Sequence, residues 1–183
     1  FIVFSNFDGT LIEEHELIIT RKDHSRGRVV NGGDEWGIFL SPTPGSSNNS
    51  STAYTRYTEK PVMNQVAGFH PFPITVTISC NEPNSQIHYT TDGSKPISTS
   101  PVYTSPINVL ETTIIKAITI SNDPDVLRGF IDFNTYFIEI THQLAVMSTS
   151  AAQLDNLLNG NQSLRPFGTF EYFNEAGERT TFG

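Results

Sequence analysis

A single cysteine in 183 residues excludes an internal disulfide, and five scattered histidines complete no Cys/His pattern of the zinc-binding kind. Cys80 sits in "TVTISCNEP" and reads as a small strand residue. Charge is scarce: 16% of residues are Asp, Glu, Lys or Arg, and the balance is acidic, with a formal net charge of −8. No cluster of Lys and Arg is interleaved with aromatics, so the composition argues against nucleic-acid binding. No apolar run approaches the length of a membrane span. Helical periodicity is also rare. What is abundant is Ser, Thr and Asn between short apolar alternations, a surface common on extracellular β-rich modules. The chain opens on Phe1, already in strand-like sequence, without an initiator Met or signal peptide, and the expectation is a piece of a longer polypeptide.

The opening "FIVFSNFDGTLIEE" resembles the nucleophile loop of the haloacid-dehalogenase-type phosphatases. That chemistry needs a carboxylate two residues before Asp8 to attack phosphorus. Asn6 stands there, and its amide is no such nucleophile. "LIEEHELIITR" follows in near alternation where the phosphatase loop leads into a helix. Asp8-Gly9 between two strand-like runs reads instead as a two-residue hairpin turn.

Residues 1–49 continue through "RKDHSRGRVVNGGDEWGIFLSPTPGSSN", with a turn cluster at Asn31-Gly32-Gly33-Asp34 and a short aromatic strand in "EWGIF". Pro42 and Pro44 then remove backbone donors and stop pairing. Ser25, Gly27, Arg28, Trp36, Pro42, Thr43, Pro44, Gly45 and Asn48 together resemble the C-terminal end of a lamin-tail-type immunoglobulin-like domain. Residues 50–60 are small and polar and read as a linker. Asn48, Asn49 and Asn161 begin N-x-S/T triplets, acceptors for glycosylation if a eukaryote secretes the chain.

Residues 61–140 alternate with period two. In "PITVTIS", Ile74, Val76 and Ile78 point one way and Thr75, Thr77 and Ser79 the other. "QIHYTT" repeats this with Ile87 and Tyr89 on one face. Asp92-Gly93 turns the chain, Pro96 stiffens the loop, and "SPVYTSPINV" returns as an edge-like strand. "TTIIKAITIS" sets Ile114, Lys116, Ile118 and Ile120 opposite Ile115, Ala117 and Thr119, and "GFIDFNTYFIEI" closes the series. Short strands at this spacing predict a β-sandwich. Ile87, Tyr89, Thr90, Asp92, Gly93, Ser94, Pro96, Tyr103, Pro106, Ile107, Ile115, Lys116 and Ala117, in that order, closely resemble the chitobiase/β-hexosaminidase C-terminal-type module. The resemblance implies an immunoglobulin-like appendage without catalytic residues. Tyr89 and Tyr103 are then expected to put rings in the core and hydroxyls at the rim. Asp92, Asp123, Asp125 and Asp132 lack the spaced loop of a calcium site and read as solvated loop residues.

Residues 141–183 contain "AAQLDNLLNG", a helix with Leu154, Leu157 and Leu158 on one face and Gly160 as its stop. "FGTFEYF", "NEAG" and "ERTTF" read as a hairpin. Leu144, Val146, Leu154, Asn156, Leu157, Gly160, Asn161, Phe167, Gly168 and Tyr172 resemble the start of the CotH family of secreted, atypical kinase-like proteins, with Ala145 replacing the usual proline. Phosphoryl transfer needs a nucleotide cradle, a lysine and metal-binding carboxylates, and no such spacing occurs here.

The expected architecture is therefore mainly β: tandem immunoglobulin-like β-sandwich modules followed by the first α+β elements of a kinase-like domain. The expected role is non-catalytic spacing or adhesion in a large extracellular or cell-surface bacterial protein. No residue is assigned a catalytic, cofactor-binding or metal-binding part. The expected partners are the rest of the longer chain or neighbouring surface proteins, with glycans as a further partner. Two alternatives remain: an accessory region of a CotH-type kinase, and carbohydrate binding through exposed rings among Tyr54, Tyr57, Phe69, Phe72 and Tyr103.

Overall fold

The structure, a computed structural model, describes residues 1–160, 163 and 167–183. The chain forms two compact units, Phe1–Arg56 and Tyr57–Gly183, and is mostly β as expected.

In the first unit, β1 (Ile2–Ser5) pairs antiparallel with β2 (Leu11–His15). The Gly9 amide donates to the Asn6 carbonyl, the Asn6 amide donates to Thr10, and Gly9 has φ +85°. This is a three-residue hairpin loop closed by a left-handed glycine, not the two-residue turn expected. The Asp8 carboxylate accepts the Thr10 amide at 2.9 Å, which holds its pKa below the usual value. The phosphatase-like string is thus spent on turn geometry. β3 (Ser25–Arg28) pairs with β4 (Trp36–Phe39), opposing Gly27 to Gly37. A Cβ on Gly37 would lie 2.9 Å from the Ala53 Cβ, so glycine admits the following segment, where Tyr54 and Ile38 exchange backbone hydrogen bonds. The Asn48 amide donates to the Arg28 carbonyl at 3.0 Å and its Oδ1 accepts the Thr43 hydroxyl, which fastens "PTPGSSN" over Gly27.

β5 (Arg56–Tyr57) lies at the boundary. The second unit continues with β6 (Val62–Met63), β7 (Gly68–His70), β8 (Ile74–Val76), β9 (Ile78–Ser79), β10 (Ser85–Thr90), β11 (Ile107–Val109), β12 (Thr113–Ser121), β13 (Val126–Leu127) and β14 (Asp132–Ile138). One sheet has the order β10-β12-β14-β7. Facing it, β8 and β9 form one interrupted strand flanked by β11 and β6. The interruption at Thr77 is filled by Asn64, whose amide donates to the Thr77 carbonyl and whose Oδ1 accepts the Thr77 amide. Met63, Val76, Ile78, Val109, Ile115, Ala117, Tyr136 and Ile138 fill the space between the layers. The inward Ile74-Val76-Ile78 alternation holds as read from the sequence, with Thr75, Thr77 and Ser79 exposed.

β15 (Val146–Ala151), α1 (Leu154–Leu158), β16 (Gly168–Phe173) and β17 (Arg179–Phe182) follow, and the strands form a separate sheet in the order β15-β16-β17. The expected hairpin is present, closed like the first one by an Asn174–Gly177 turn with Gly177 at φ +79°. The helix covers only five residues. Leu158 is exposed, so it leaves the face shared by Leu154 and Leu157, while Gly160 ends the helix at φ +103°. Asn161, named in the CotH resemblance and as a glycosylation triplet, lies outside the described residues.

The core location sets a stability contrast. Ile115→Ala, at a fully buried site, is expected to cost about 2–5 kcal/mol. Leu110→Ala, at a largely exposed site, should stay within about 0.5 kcal/mol. Urea denaturation of the two variants checks both values.

Candidate functional site

The turn after β10 is the most residue-specific feature of the second unit. Thr90 Oγ1 donates to the Ser94 carbonyl at 2.8 Å, and Asp92 Oδ1 accepts both the Ser94 amide (3.0 Å) and its hydroxyl (2.6 Å). These bonds, the hydroxyl first, hold the Asp92 pKa below its ordinary value. Gly93 adopts φ +79°, and a Cβ there would lie 3.1 Å from the Ser150 Cβ of β15. Glycine therefore serves the turn and admits β15 at once. Asp92, Thr149, Ser150, Gln153, Leu154 and Asp155 line much of an open polar groove of about 450 Å³ at this junction.

Lys116 lies beneath it on β12, 0% exposed. Its Nζ donates to the Ser150 carbonyl at 3.4 Å and lies 5.8 Å from the Phe167 ring centroid. Burial lowers its pKa to about 8, against the opposing pull of Asp92 and Glu171. Further along the same face, Glu171 of β16 is 1% exposed. Its Oε1 accepts Arg179 Nη1 at 2.8 Å and its Oε2 accepts the Thr135 hydroxyl. Arg179 Nη1 also reaches Asn134 Oδ1 at 2.8 Å, and Thr135 Oγ1 is 2.8 Å from Ser148 Oγ. The network joins the outer side of β14 to all three strands of the β15-β16-β17 sheet. Each acid or base in it faces another protein group, so the arrangement does the work of a joint between sheets.

The residues weighed for other chemistry are dispersed. Asp123 caps the Asp125 amide at 2.9 Å, and Asp132 binds Lys60 at 2.7 Å. Among the described residues no three His, Cys, Asp or Glu side chains group as metal ligands, and no helix is long and apolar enough to cross a membrane. Of the five rings considered for sugar stacking, Phe72 is exposed. Tyr54 and Tyr57 are half-buried. Phe69 stacks on Phe137 and His142, and Tyr103 packs edge-on to Tyr89 against the core. Asn48 and Asn49 both use their side chains in hydrogen bonds within the first unit. That unit also holds an apolar cleft of about 330 Å³ lined by Phe4, His15, Leu17, Arg26 and Trp36. Arg26 and Arg28 stand 5.4 and 5.5 Å from the centroid of its indole.

Against known families, one result matches this geometry. Residues 65–125 match the Chitobiase/beta-hexosaminidase C-terminal domain. The matched stretch runs from before β7 to the residue preceding β13 and includes the Asp92 turn and Lys116. That domain family is a non-catalytic, immunoglobulin-like module, and the match agrees with the sequence resemblance. No curated protein and no solved structure matches the chain.

The sequence reading singled out Asp92, Gly93 and Lys116 but not the Glu171–Arg179–Thr135 network. The sequence offered no signal for it: Glu171 shares a face with Thr169 and Phe173, and the structure buries that face, while Phe170 and Tyr172 point outward.

Two measurements test the joint. Between the folded pKa of about 8 and the unfolded value near 10.5, the native state binds fewer protons at Lys116 than the unfolded chain. Its contribution therefore rises with pH through that window, by up to about 3 kcal/mol. Tyr136, whose pKa burial raises to about 12, acts oppositely above pH 10. Urea midpoints from pH 8 to 10 should rise more steeply in the parent than in Lys116→Met; parallel profiles would count against the buried amine. Separately, Arg179→Met leaves the Glu171 carboxylate buried without its cation and should cost about 3 kcal/mol, most of it recovered by adding Glu171→Leu. A double-mutant cycle reads this directly.

Proposed function

We propose that the chain is a structural, spacing part of an extracellular or cell-surface protein. The observation carrying this reading is how the matched module and the strands that follow it use their polar side chains. Asp92, Ser94, Lys116, Thr135, Glu171 and Arg179 are bonded to one another or to backbone, and they fix a turn and dock one sheet on another. They converge on no reacting position. A spacer needs defined geometry between consecutive segments, and this network supplies it.

The finer assignments rest on the same footing. For residues 1–49, the lamin-tail-type reading is supported by the knot of Thr43, Asn48 and Arg28 over Gly27. For residues 141–183, the CotH-type reading is supported by the order strand, short helix, hairpin. Under that second reading the chain is an accessory region of a secreted kinase-like protein.

The experiment is a titration of the full chain with chitin oligosaccharides and a broader glycan panel, beside surface labelling of cells that make the native protein. A spacer shows no saturable glycan binding, and a membrane-impermeant amine reagent reaches exposed lysines such as Lys22. Saturable binding abolished by Phe72→Ala would replace the spacer reading with carbohydrate recognition. Failure of the reagent to label intact cells would remove the surface assignment.

A further inference from the structure

The segment entering the sandwich and the strand leaving it run side by side in the same direction. The Thr58 amide donates to the Leu127 carbonyl at 2.7 Å, and the Gly129 amide donates to Thr58 Oγ1 at 2.7 Å. A Cβ on Gly129 would lie 2.2 Å from the Thr58 carbonyl oxygen, so only glycine permits the approach. Lys60 Nζ pairs with Asp132 Oδ1 at 2.7 Å. The Gln65 carbonyl then accepts from both Asn134 Nδ2 and the Tyr136 hydroxyl, each at 3.2 Å. Gly68, Phe69 and His70 pair in parallel with Tyr136, Phe137 and Ile138, and the Glu139 amide closes the series on the His70 carbonyl at 2.9 Å. Side chains reinforce it: the Phe69 and Phe137 rings stack at 4.6 Å, and His70 lies 5.7 Å from Tyr136.

The geometry points to a mechanical function: this ladder is a shear clamp that carries tension through the module. Tension along the chain pulls Thr58 backward and Glu139 forward. In a parallel pair those two ends lie at opposite ends of the ladder, and the bonds lie across the pull. Backbone bonds, the Lys60–Asp132 pair and the aromatic stack are then loaded together. An antiparallel hairpin pulled at its open end gives way one bond at a time. The inference rests on the spacing role proposed above and states what that role demands of the fold: rigidity along one axis.

The test pulls the full chain from two pairs of handles and compares rupture forces at one loading rate. In a Cys80→Ser background, Thr55→Cys with Ile140→Cys places the ladder in shear. Phe72→Cys with Ile140→Cys pulls the same two strands apart from one end. All three handle sites are exposed, and unchanged urea midpoints confirm that each variant is folded. A several-fold higher force for the first pair is the expected result. Equal forces, or a weaker first pair, would overturn the clamp while leaving the glycan and surface-labelling results to decide the spacing role independently. Conversely, saturable glycan binding would displace that role without altering a measured force asymmetry.

Discussion

β14 has two faces, and neither is given to water. Inward, Tyr136 and Ile138 complete the apolar layer, and the Tyr136 hydroxyl is satisfied by Asn134, Gln65 and Met63. Outward, Thr135 and Phe137 meet Ser148, Glu171 and Phe173 of the adjoining sheet. At its two edges it pairs with β12 and β7. A strand confined on four sides fixes register for everything around it, because a one-residue slip would put Thr135 into the apolar layer and Tyr136 against a carboxylate. The orientation of the β15-β16-β17 sheet and the alignment of entry and exit strands both follow from that one constraint.

The polar character of the outer face is what makes it specific. Two apolar sheet faces can slide over one another at little cost, since hydrophobic contact has no direction. Glu171 cannot slide: moving it from Arg179 and Thr135 leaves a buried carboxylate without donors. Lys116 has the opposite balance, with one long hydrogen bond and a pKa already lowered by burial. The joint thus combines a satisfied ion pair at one end with an under-satisfied amine at the other.

Local features of the chain were legible because their causes are local. Period-two alternation in 74–79, the αL glycines at Gly9, Gly93 and Gly177, and the stop at Gly160 all follow from a few neighbouring residues. Glu171 was opaque for the converse reason. In "GTFEYF" the apolar pattern favours Phe170 and Tyr172 as the inward residues, yet the partner face offers hydroxyls and a guanidinium, so Thr169 and Glu171 turn inward. Its partners Thr135 and Arg179 lie 36 and 8 residues away. Likewise nothing in "GFH" announces its parallel partner, and its pairing with β14 spans the whole module. The ten-residue helical string shortened to five because Gln153 enters it in a left-handed conformation, with no side-chain cap.

The same residues also explain why resemblance and chemistry part company at the Asp92 turn. An aspartate beside a glycine, with serine two residues on and a lysine nearby, has the ingredients of an active centre. Here both oxygens of Ser94 and one of Asp92 are engaged in closing the turn. The lysine is fully buried, next to a backbone carbonyl. A side chain in place of Gly93 would crowd Ser150. A reacting group would have to displace β15 to reach the amine, and that would open the joint through which the two sheets hold each other. Rigidity at this point and reactivity at this point are therefore mutually exclusive, and the hydrogen bonds favour rigidity.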